Sequence, residues 1–197
     1  MIDIDRIDFQ KGGGLVPVVA QHADTGEVLM LAYADREALE RSSRDGVLWL
    51  YSRSRDGLWK KGETSGNEMR VVSLVADCDA DAVLASVIPS GPACHTGARA
   101  CFPAAPLFVE LADALRERAD TRPDGSHTAR LLADRNLRLK KLGEEAVELA
   151  LALAAGDRDA ARAEAADLLY HVLVAALGEG VQPEDVLAEL RERRTGR

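Results

Sequence analysis

Three cysteines are the residues of this 197-residue chain best suited to bind a soft metal ion. Cys94 and Cys101 lie seven residues apart in GPACHTGARACF, and Cys78 lies within DCDAD. A catalytic zinc ion typically has three protein ligands and keeps one position for water, so three thiols are the right number. Cysteines are also common in apolar cores, which is the alternative interpretation. We predict a zinc site, with His95 as a fourth ligand or as a general base.

The segment between Cys78 and Cys94 contains the predicted strand DAVLASVIP. A strand of about eight residues spans roughly 26 Å at ~3.3 Å per residue. One extended chain would therefore have difficulty placing both thiols within ~2.3 Å of one zinc ion. Two chains related by a twofold axis could do so, if each contributed Cys78 to the Cys94 and Cys101 of its partner. We therefore predict an obligate homodimer with two shared zinc sites.

Acidic residues alternate around the first of these cysteines, at Asp77, Asp79 and Asp81. Alternating carboxylates on a tight turn are typical of a site for a hard cation, Mg²⁺ or Ca²⁺. A solvated acidic turn is the other interpretation of the same pattern. The spacing alone leaves both open.

A basic segment, YSRSRDGLWKKGETSGN, covers residues 51–67. Its cationic and amide side chains could bind the phosphate of a ligand, and Trp59 could cover a ring. By composition alone, it could equally be a solvated basic loop. The candidate donors are Arg53, Arg55, Lys60, Lys61, Ser65 and Asn67.

Two pairs of acids with the same spacing occur in the second half of the chain, Glu145 with Glu148 and Glu164 with Asp167. Residues three apart share one face of a helix. The short connection around Gly156 predicts an antiparallel helical hairpin, so both pairs can meet on facing surfaces. The second pair interrupts an apolar run that reads as core, and buried acids are usually paired or bound to a metal. Solvated charge is the alternative.

The periodicity divides the chain into two halves of different class. Residues 15–102 predict mainly antiparallel strands with one short helix at 34–46, whereas residues from 107 onwards predict helices. PAAP at 103–106 marks the boundary, so we predict an α+β domain over 1–104 and an all-α domain over 105–197. Residues 58–67 and 122–127 are predicted to be loops, and helices are predicted over 107–119, 132–156, 158–180 and 183–194.

Composition narrows the class of protein further. The formal net charge of −8 argues against binding to a nucleic-acid backbone, which requires clustered Lys and Arg. No apolar run approaches the roughly 20 residues needed to span a membrane. The acidic N-terminus lacks an apolar secretory core, and an odd number of cysteines does not form a disulfide framework. We expect a cytoplasmic enzyme of small molecules.

The first half resembles phosphoribosyl-AMP cyclohydrolase of histidine biosynthesis. The motifs YSRSR, LWKKGETSGN, DCDAD, GPACHTG and ACF occur in that order, from about Gly14 to Phe102. The resemblance implies that the three cysteines bind Zn²⁺ across a dimer and that the three aspartates of DCDAD bind Mg²⁺. It also implies hydrolytic opening of the N1–C6 bond of a purine, for which zinc supplies hydroxide at neutral pH. Ala100 departs from the serine expected before the last cysteine.

The second half resembles phosphoribosyl-ATP pyrophosphohydrolase over roughly residues 107–195. SHTARLLADRN, KKLGEEAVE and EAADLLYHVL carry this resemblance. It implies that the four paired acids hold Mg²⁺ on a nucleoside triphosphate, with Glu145 and Glu148 as catalytic residues and Lys140 or Lys141 near phosphate. It implies that this domain forms phosphoribosyl-AMP and pyrophosphate, so the C-terminal domain acts first in a fused bifunctional enzyme.

Three other classes of protein were alternatives for this chain, and each requires different residues. A zinc-pinned dimer with a helical oligomerisation module would need a closed four-ligand zinc site and solvent-facing carboxylates. A carboxylate-bridged redox bundle uses Glu-x-x-His pairs, which the two helices lack. Zinc deaminases carry H-x-E and P-C-x-x-C motifs, which are also absent. The sequence does not identify the base for ring opening or the number of Mg²⁺ ions. It also does not show whether the intermediate passes directly between the domains.

Overall fold

Six strands and six α-helices account for most of residues 2–195, the part of the chain that the computed structural model describes. The chain divides into two units, Met1–Pro106 and Leu107–Arg197. All six strands and one α-helix lie in the first unit, and the other five α-helices lie in the second. The predicted fold class, an α+β domain followed by an all-α domain, is confirmed. The division of the two activities between residues 104 and 105 stays a prediction.

The first unit contains a single mixed sheet of six strands: β1 Val16–His22, β2 Val28–Ala34, β3 Trp49–Ser52, β4 Gly57–Lys60, β5 Met69–Ala76 and β6 Val83–Pro89. Their order in the sheet is β4-β3-β2-β1-β6-β5. Its alternating pattern buries Val16, Val18 and Ala20 on one face of the first strand. The first strand pairs parallel with the last one, Ala20 opposite Ala85, and every other pairing is antiparallel.

The helix α1, Arg36–Asp45, covers the sheet as the sequence predicts. Asp35 caps its N-terminus by accepting a hydrogen bond from the Ala38 amide, and Gly46 ends it in the left-handed conformation. Leu39 is fully buried against the sheet. The capping residues therefore fix both ends of the helix.

The strand β4 corrects the sequence-based prediction for residues 58–67, which was a loop. Trp59 pairs with Leu50 and Leu58 pairs with Tyr51, so β3 and β4 form a hairpin. This hairpin lies at the edge of the sheet, where a strand needs only one partner and tolerates polar and charged side chains. The short strand was therefore missed because its composition is polar. The residues that follow β4 form the expected turn.

Helices α2 Leu107–Thr121, α3 His127–Ala133, α4 Arg135–Ala155, α5 Arg158–Leu177 and α6 Pro183–Thr195 form the second unit. The predicted helix starting at residue 132 is wrong, because Asp134 separates two helices. Its backbone is extended, and its side chain caps α4 by accepting from the Leu137 amide. Ser126 likewise caps α3 through the Ala129 amide. The sequence contained both caps, but the short α3 lacks a clear helical period.

The predicted hairpin of α4 and α5 is confirmed. Gly156 ends α4 with a positive φ of 71°, and the Asp157 carboxylate caps α5 through the amides of Asp159 and Ala160. The predicted burial of the α5 face beside Glu164 and Asp167 is wrong for the single chain. Leu169 on this helix is 53% exposed, and α4 also carries exposed apolar side chains, namely Val147 (59%), Leu151 (65%) and Leu153 (63%).

Candidate active sites

Cys94 lies at the start of a tight turn. The Gly97 amide donates to the Cys94 carbonyl at 3.1 Å, and the Cys94 amide donates to the Ala98 carbonyl at 3.1 Å. Gly97 has a φ of +87°, which side chains with a Cβ rarely adopt. The glycine in this motif is therefore needed to close the turn that carries the first thiol.

Two contacts from the sheet hold the ends of this cysteine loop. The Cys101 amide donates to the Leu29 carbonyl of β2 at 2.7 Å, which fixes the second thiol. The Lys61 ammonium is buried and donates to the Ala93 carbonyl at 2.9 Å, next to Cys94. Sequence reasoning assigned Lys61 to phosphate binding, whereas in the folded chain its ammonium donates to this carbonyl. Lys61 therefore supports the loop.

A cavity of about 490 Å³ joins the cysteine loop to the basic segment. It brings together most of the residues predicted for zinc and substrate in this domain. Arg53 is different, because its guanidinium lies over the Tyr33 ring at 3.8 Å and does not line the cavity. The predicted residues that line it are Arg55, Trp59, Lys60, Lys61, Ser65, Asn67, Cys94, His95 and Cys101.

The two thiols of this cavity differ in their electrostatics. The Thr96 hydroxyl donates to the Cys94 sulfur at 3.1 Å and lowers the pKa of that thiol. Burial raises the pKa of Cys101, and the neighbouring Cys94 raises it further. The Nδ1 atom of His95 lies 3.8 Å from the Cys94 sulfur. Cys94 therefore ionises more readily than Cys101 to the thiolate, the form that binds metal.

The third cysteine, Cys78, lies on the exposed turn between β5 and β6. Its sulfur is 3.9 Å from an Asp79 carboxylate oxygen. Within residues 2–195, the three cysteine sulfurs do not all come within 4.8 Å of one another. One chain therefore does not bring the predicted zinc ligands together.

The acids of this turn form a compact group, which we call the acid turn: Asp77, Asp79 and Asp81, with carboxylate oxygens within 4.8 Å of one another. One Asp77 oxygen also accepts from the amides of Asp81 and Ala82, at 3.0 and 3.1 Å. The Lys11 ammonium contacts Asp79 at 2.7 Å and also contacts Asp81. It lowers the pKa of Asp79. Sequence reasoning did not identify Lys11.

The helical unit brings together three of its four predicted acids. Oxygens of Glu145, Glu164 and Asp167 lie within 4.8 Å of one another, which we call the helical acid cluster. Glu148 is exposed and outside this group. Burial raises the pKa of Glu164, and the charges of Glu148, Glu145 and Asp167 raise it further. Such mutual repulsion is relieved by a bound cation.

Glu145 is the buried member of the helical acid cluster, with 9% of its side chain exposed. Lys141 lies 3.5 Å from its carboxylate and His171 lies 3.7 Å from it. Lys140 lies near Glu144 instead, at 3.1 Å. Lys141 is therefore the better placed of the two lysines predicted to lie near phosphate, and the burial of Glu145 does not fit the solvent-facing carboxylates of an oligomerisation module.

Aromatic side chains flank His171. The ring of Tyr170 meets it edge-on at 5.1 Å, and the ring of His127 does so at 5.8 Å. The hydroxyls of Tyr170 and Thr128 are 2.7 Å apart. Sequence reasoning missed His127 and Thr128, although the Ser126 cap before them marked the start of a helix beside the hairpin.

The fold and the two candidate sites are typical of a metal-dependent hydrolase with two catalytic domains on one chain. Residues 30–103 match the family described as phosphoribosyl-AMP cyclohydrolase, and residues 108–194 match phosphoribosyl-ATP pyrophosphohydrolase. The chain belongs to the family of bifunctional HisIE proteins of histidine biosynthesis. The predicted family and both hydrolase activities are confirmed.

Relatives match almost the full length of the chain. The histidine biosynthesis bifunctional protein HisIE of Thermus thermophilus is 48% identical, covering 98% of this chain and 94% of the relative. The protein of the same name from Xanthomonas axonopodis is 46% identical, with 95% and 92% covered. That from Escherichia coli K12 is 44% identical, with 95% of each chain covered.

Within residues 2–195, every helix is too short or too polar to span a membrane.

Proposed function

We propose that the two activities use the two sites described above and that the helical domain acts first. It releases pyrophosphate from phosphoribosyl-ATP, and the strand-rich domain then opens the N1–C6 bond of the phosphoribosyl-AMP formed. The single observation that supports this assignment best is the cavity of about 490 Å³, which places Cys94 and Cys101 opposite a basic and aromatic segment. Such a lining suits a nucleotide beside a metal.

In the strand-rich domain, Cys94, Cys101 and Cys78 of the partner subunit would hold Zn²⁺. The lowered pKa of Cys94 and the cavity shared with Cys101 fit this ion. Bound zinc would supply an acidified water at neutral pH. Arg55 and Ser65 face the cavity and would bind phosphate, while Trp59 would cover a ring.

His95 and Arg53 complete the predicted residues of this site. His95 would serve as a base or as a fourth ligand, since its ring lies beside the Cys94 sulfur. Arg53 would reach the substrate only after leaving the Tyr33 ring. Lys61 would act mainly by holding the cysteine loop.

Homodimer formation is the second part of the proposal. The separation of Cys78 from the other thiols within one chain supports a site shared by two subunits. The exposed apolar side chains on α4 and α5 support association of the helical domains as well, because burying such surfaces is favourable. The substrates are small nucleotides, and we propose a cytoplasmic location.

In the helical domain, the helical acid cluster with Glu148 would hold Mg²⁺ against the triphosphate. Burial raises the pKa of Glu164 and the neighbouring carboxylates raise it further, and a hard cation with oxygen ligands would offset both effects. Bound Mg²⁺ would neutralise charge on the departing pyrophosphate. Glu145 and Glu148 would orient the attacking water, and Lys141 would contact phosphate. We propose a further Mg²⁺ at the acid turn.

Incubation of the purified full chain with phosphoribosyl-ATP tests this division of labour. With Mg²⁺ in excess, a zinc-selective chelator should block the ultraviolet change of ring opening while pyrophosphate is still released. Addition of zinc should restore ring opening. Loss of both activities on chelation, or ring opening that persists without zinc, would contradict the proposal.

A further inference from the structure

The acid turn already holds a cation, which the chain itself supplies. The Lys11 ammonium lies 2.7 Å from an Asp79 oxygen and contacts an Asp81 oxygen. In the Lys11–Asp79 pair, both side chains are about half exposed, 53% for Lys11 and 57% for Asp79. The ammonium is therefore placed among the oxygens that a divalent ion would use.

The backbone around Lys11 is docked on the same turn. The Asp8 amide donates to the Ala80 carbonyl, at the centre of the acid turn, at 2.8 Å. The Asp8 carboxylate accepts from the amides of Gln10 and Lys11, both at 3.1 Å, and so fixes the turn that carries the lysine. These hydrogen bonds hold the backbone of Lys11 beside the acid turn, independently of the contacts that its side chain makes.

The chain after Lys11 forms a glycine turn held by two backbone hydrogen bonds, from the Gly13 amide to the Gln10 carbonyl at 3.0 Å and from the Gly14 amide to the Phe9 carbonyl at 2.7 Å. Gly12, Gly13 and Gly14 follow directly, and the last two have φ values of +65° and +98°. Glycine adopts this region and its mirror image about equally readily. The side chain of Lys11 is also long and partly solvated, so it can leave the acids without loss of buried packing.

We propose that Lys11 is an internal competitor for the divalent cation of the acid turn. This inference rests on the proposed function in one respect, that the acid turn binds Mg²⁺. An ammonium and a divalent ion repel each other and use the same oxygens, so occupancy by one excludes the other. Lys11 keeps the carboxylates together when the ion is absent and raises the concentration of ion needed to fill the site.

Binding of Mn²⁺, measured by electron paramagnetic resonance on the full chain, tests this proposal. Glu145→Gln and Glu164→Gln would be present in every protein, so that the helical acid cluster does not contribute. In this background, Lys11→Met should tighten Mn²⁺ binding about tenfold, because it removes a charge at close range that solvent only partly screens. Adding Asp79→Asn should abolish the gain.

Lys140→Met is the matched control, since it removes the same charged group from an exposed position that is paired with Glu144 in the other unit. It should leave Mn²⁺ binding at the acid turn unchanged. Binding by Lys11→Met that is unchanged, weaker or undetectable would overturn the proposal. An equal gain with Lys140→Met would also overturn it, because net charge alone would then explain the effect.

A second measurement uses the unmodified chain. Acylation of Lys11, followed by mass spectrometry, should become faster when Mn²⁺ is added, because the ion releases the ammonium from its carboxylates. Acylation of Lys140 serves as the internal reference. An unchanged or slower rate at Lys11 would overturn the proposal. Ring opening by the zinc-loaded enzyme is a separate assay, so failure here is distinguishable from failure of the proposed function.

Discussion

The two candidate sites differ in how the chain builds them. The helical acid cluster comes from two neighbouring helices, and one chain brings Glu145, Glu164 and Asp167 together. The thiol site comes from loops, and one chain brings only Cys94 and Cys101 to a common cavity, with Cys78 elsewhere. Local helical spacing can complete a site within one subunit, whereas ligands on separate loops can require a second subunit.

The largest expected effect tests the independence of the two sites. Glu145→Gln keeps the shape of the side chain but removes a proposed metal ligand. Since loss of residues that merely support a ligand costs about 10- to 100-fold, we expect pyrophosphate release to fall by about a hundredfold or more. Ring opening of added phosphoribosyl-AMP should stay within a few-fold of the original rate. Both rates can be measured on one preparation.

Glu144→Gln is the matched control for that variant. Glu144 lies next to Glu145 but pairs with Lys140 and Lys141, outside the helical acid cluster. It should leave pyrophosphate release nearly unchanged. Equal losses from both variants, or loss of ring opening with Glu145→Gln, would break the contrast between independent sites.

A smaller effect, on zinc affinity, is expected when the lysine that supports the cysteine loop is replaced. Lys61→Met removes the ammonium that donates to the Ala93 carbonyl, and leaves that buried carbonyl without its partner. We expect zinc affinity to fall by about tenfold, as for other residues that position metal ligands. A competition titration with a zinc-binding dye measures it without substrate.

Lys61→Arg retains a donor and should recover part of this zinc affinity. If Lys61→Met lowers only substrate binding and leaves zinc affinity unchanged, then Lys61 contacts phosphate, as the sequence suggested, and does not hold the loop.

The smallest expected effect is a difference in reactivity between the two thiols of one cavity, Cys94 and Cys101. Because Thr96 lowers the pKa of Cys94 and burial raises that of Cys101, Cys94 has more thiolate at neutral pH. In zinc-free protein, iodoacetamide should therefore alkylate Cys94 several-fold faster than Cys101. Peptide mass spectrometry measures both rates. Faster alkylation of Cys101 would contradict the assigned electrostatics.

Local patterns allowed much of the fold and of the helical site to be predicted. Asp35 and Gly46 mark the ends of α1, and the three-residue spacing of the acids gives their shared face directly. The strand β4 was missed because its polar side chains suit an edge position, which depends on the whole sheet. Burial was overestimated on α5, where Leu169 faces solvent in a single chain.

Contacts between distant segments could not be predicted. Lys11 and Asp79 are 68 residues apart in the chain, and no spacing rule relates them. Lys61 and Ala93 are 32 apart, so the role of Lys61 as a support for the cysteine loop emerges only from the folded structure. The residue types indicated which chemistry to expect, and the tertiary fold decided which of them meet.

Mixing of two inactive variants tests the contrast between a shared and an unshared site most directly. Cys78→Ser and Cys94→Ser should each lose ring opening. Unfolded together and refolded as a mixture, they should recover about a quarter of the original activity, because half of the dimers are mixed and each mixed dimer has one intact site. Glu145→Gln mixed with Glu164→Gln should recover no pyrophosphate release, since those residues act within one chain. No recovery in the cysteine mixture, with dimers formed, would contradict the account.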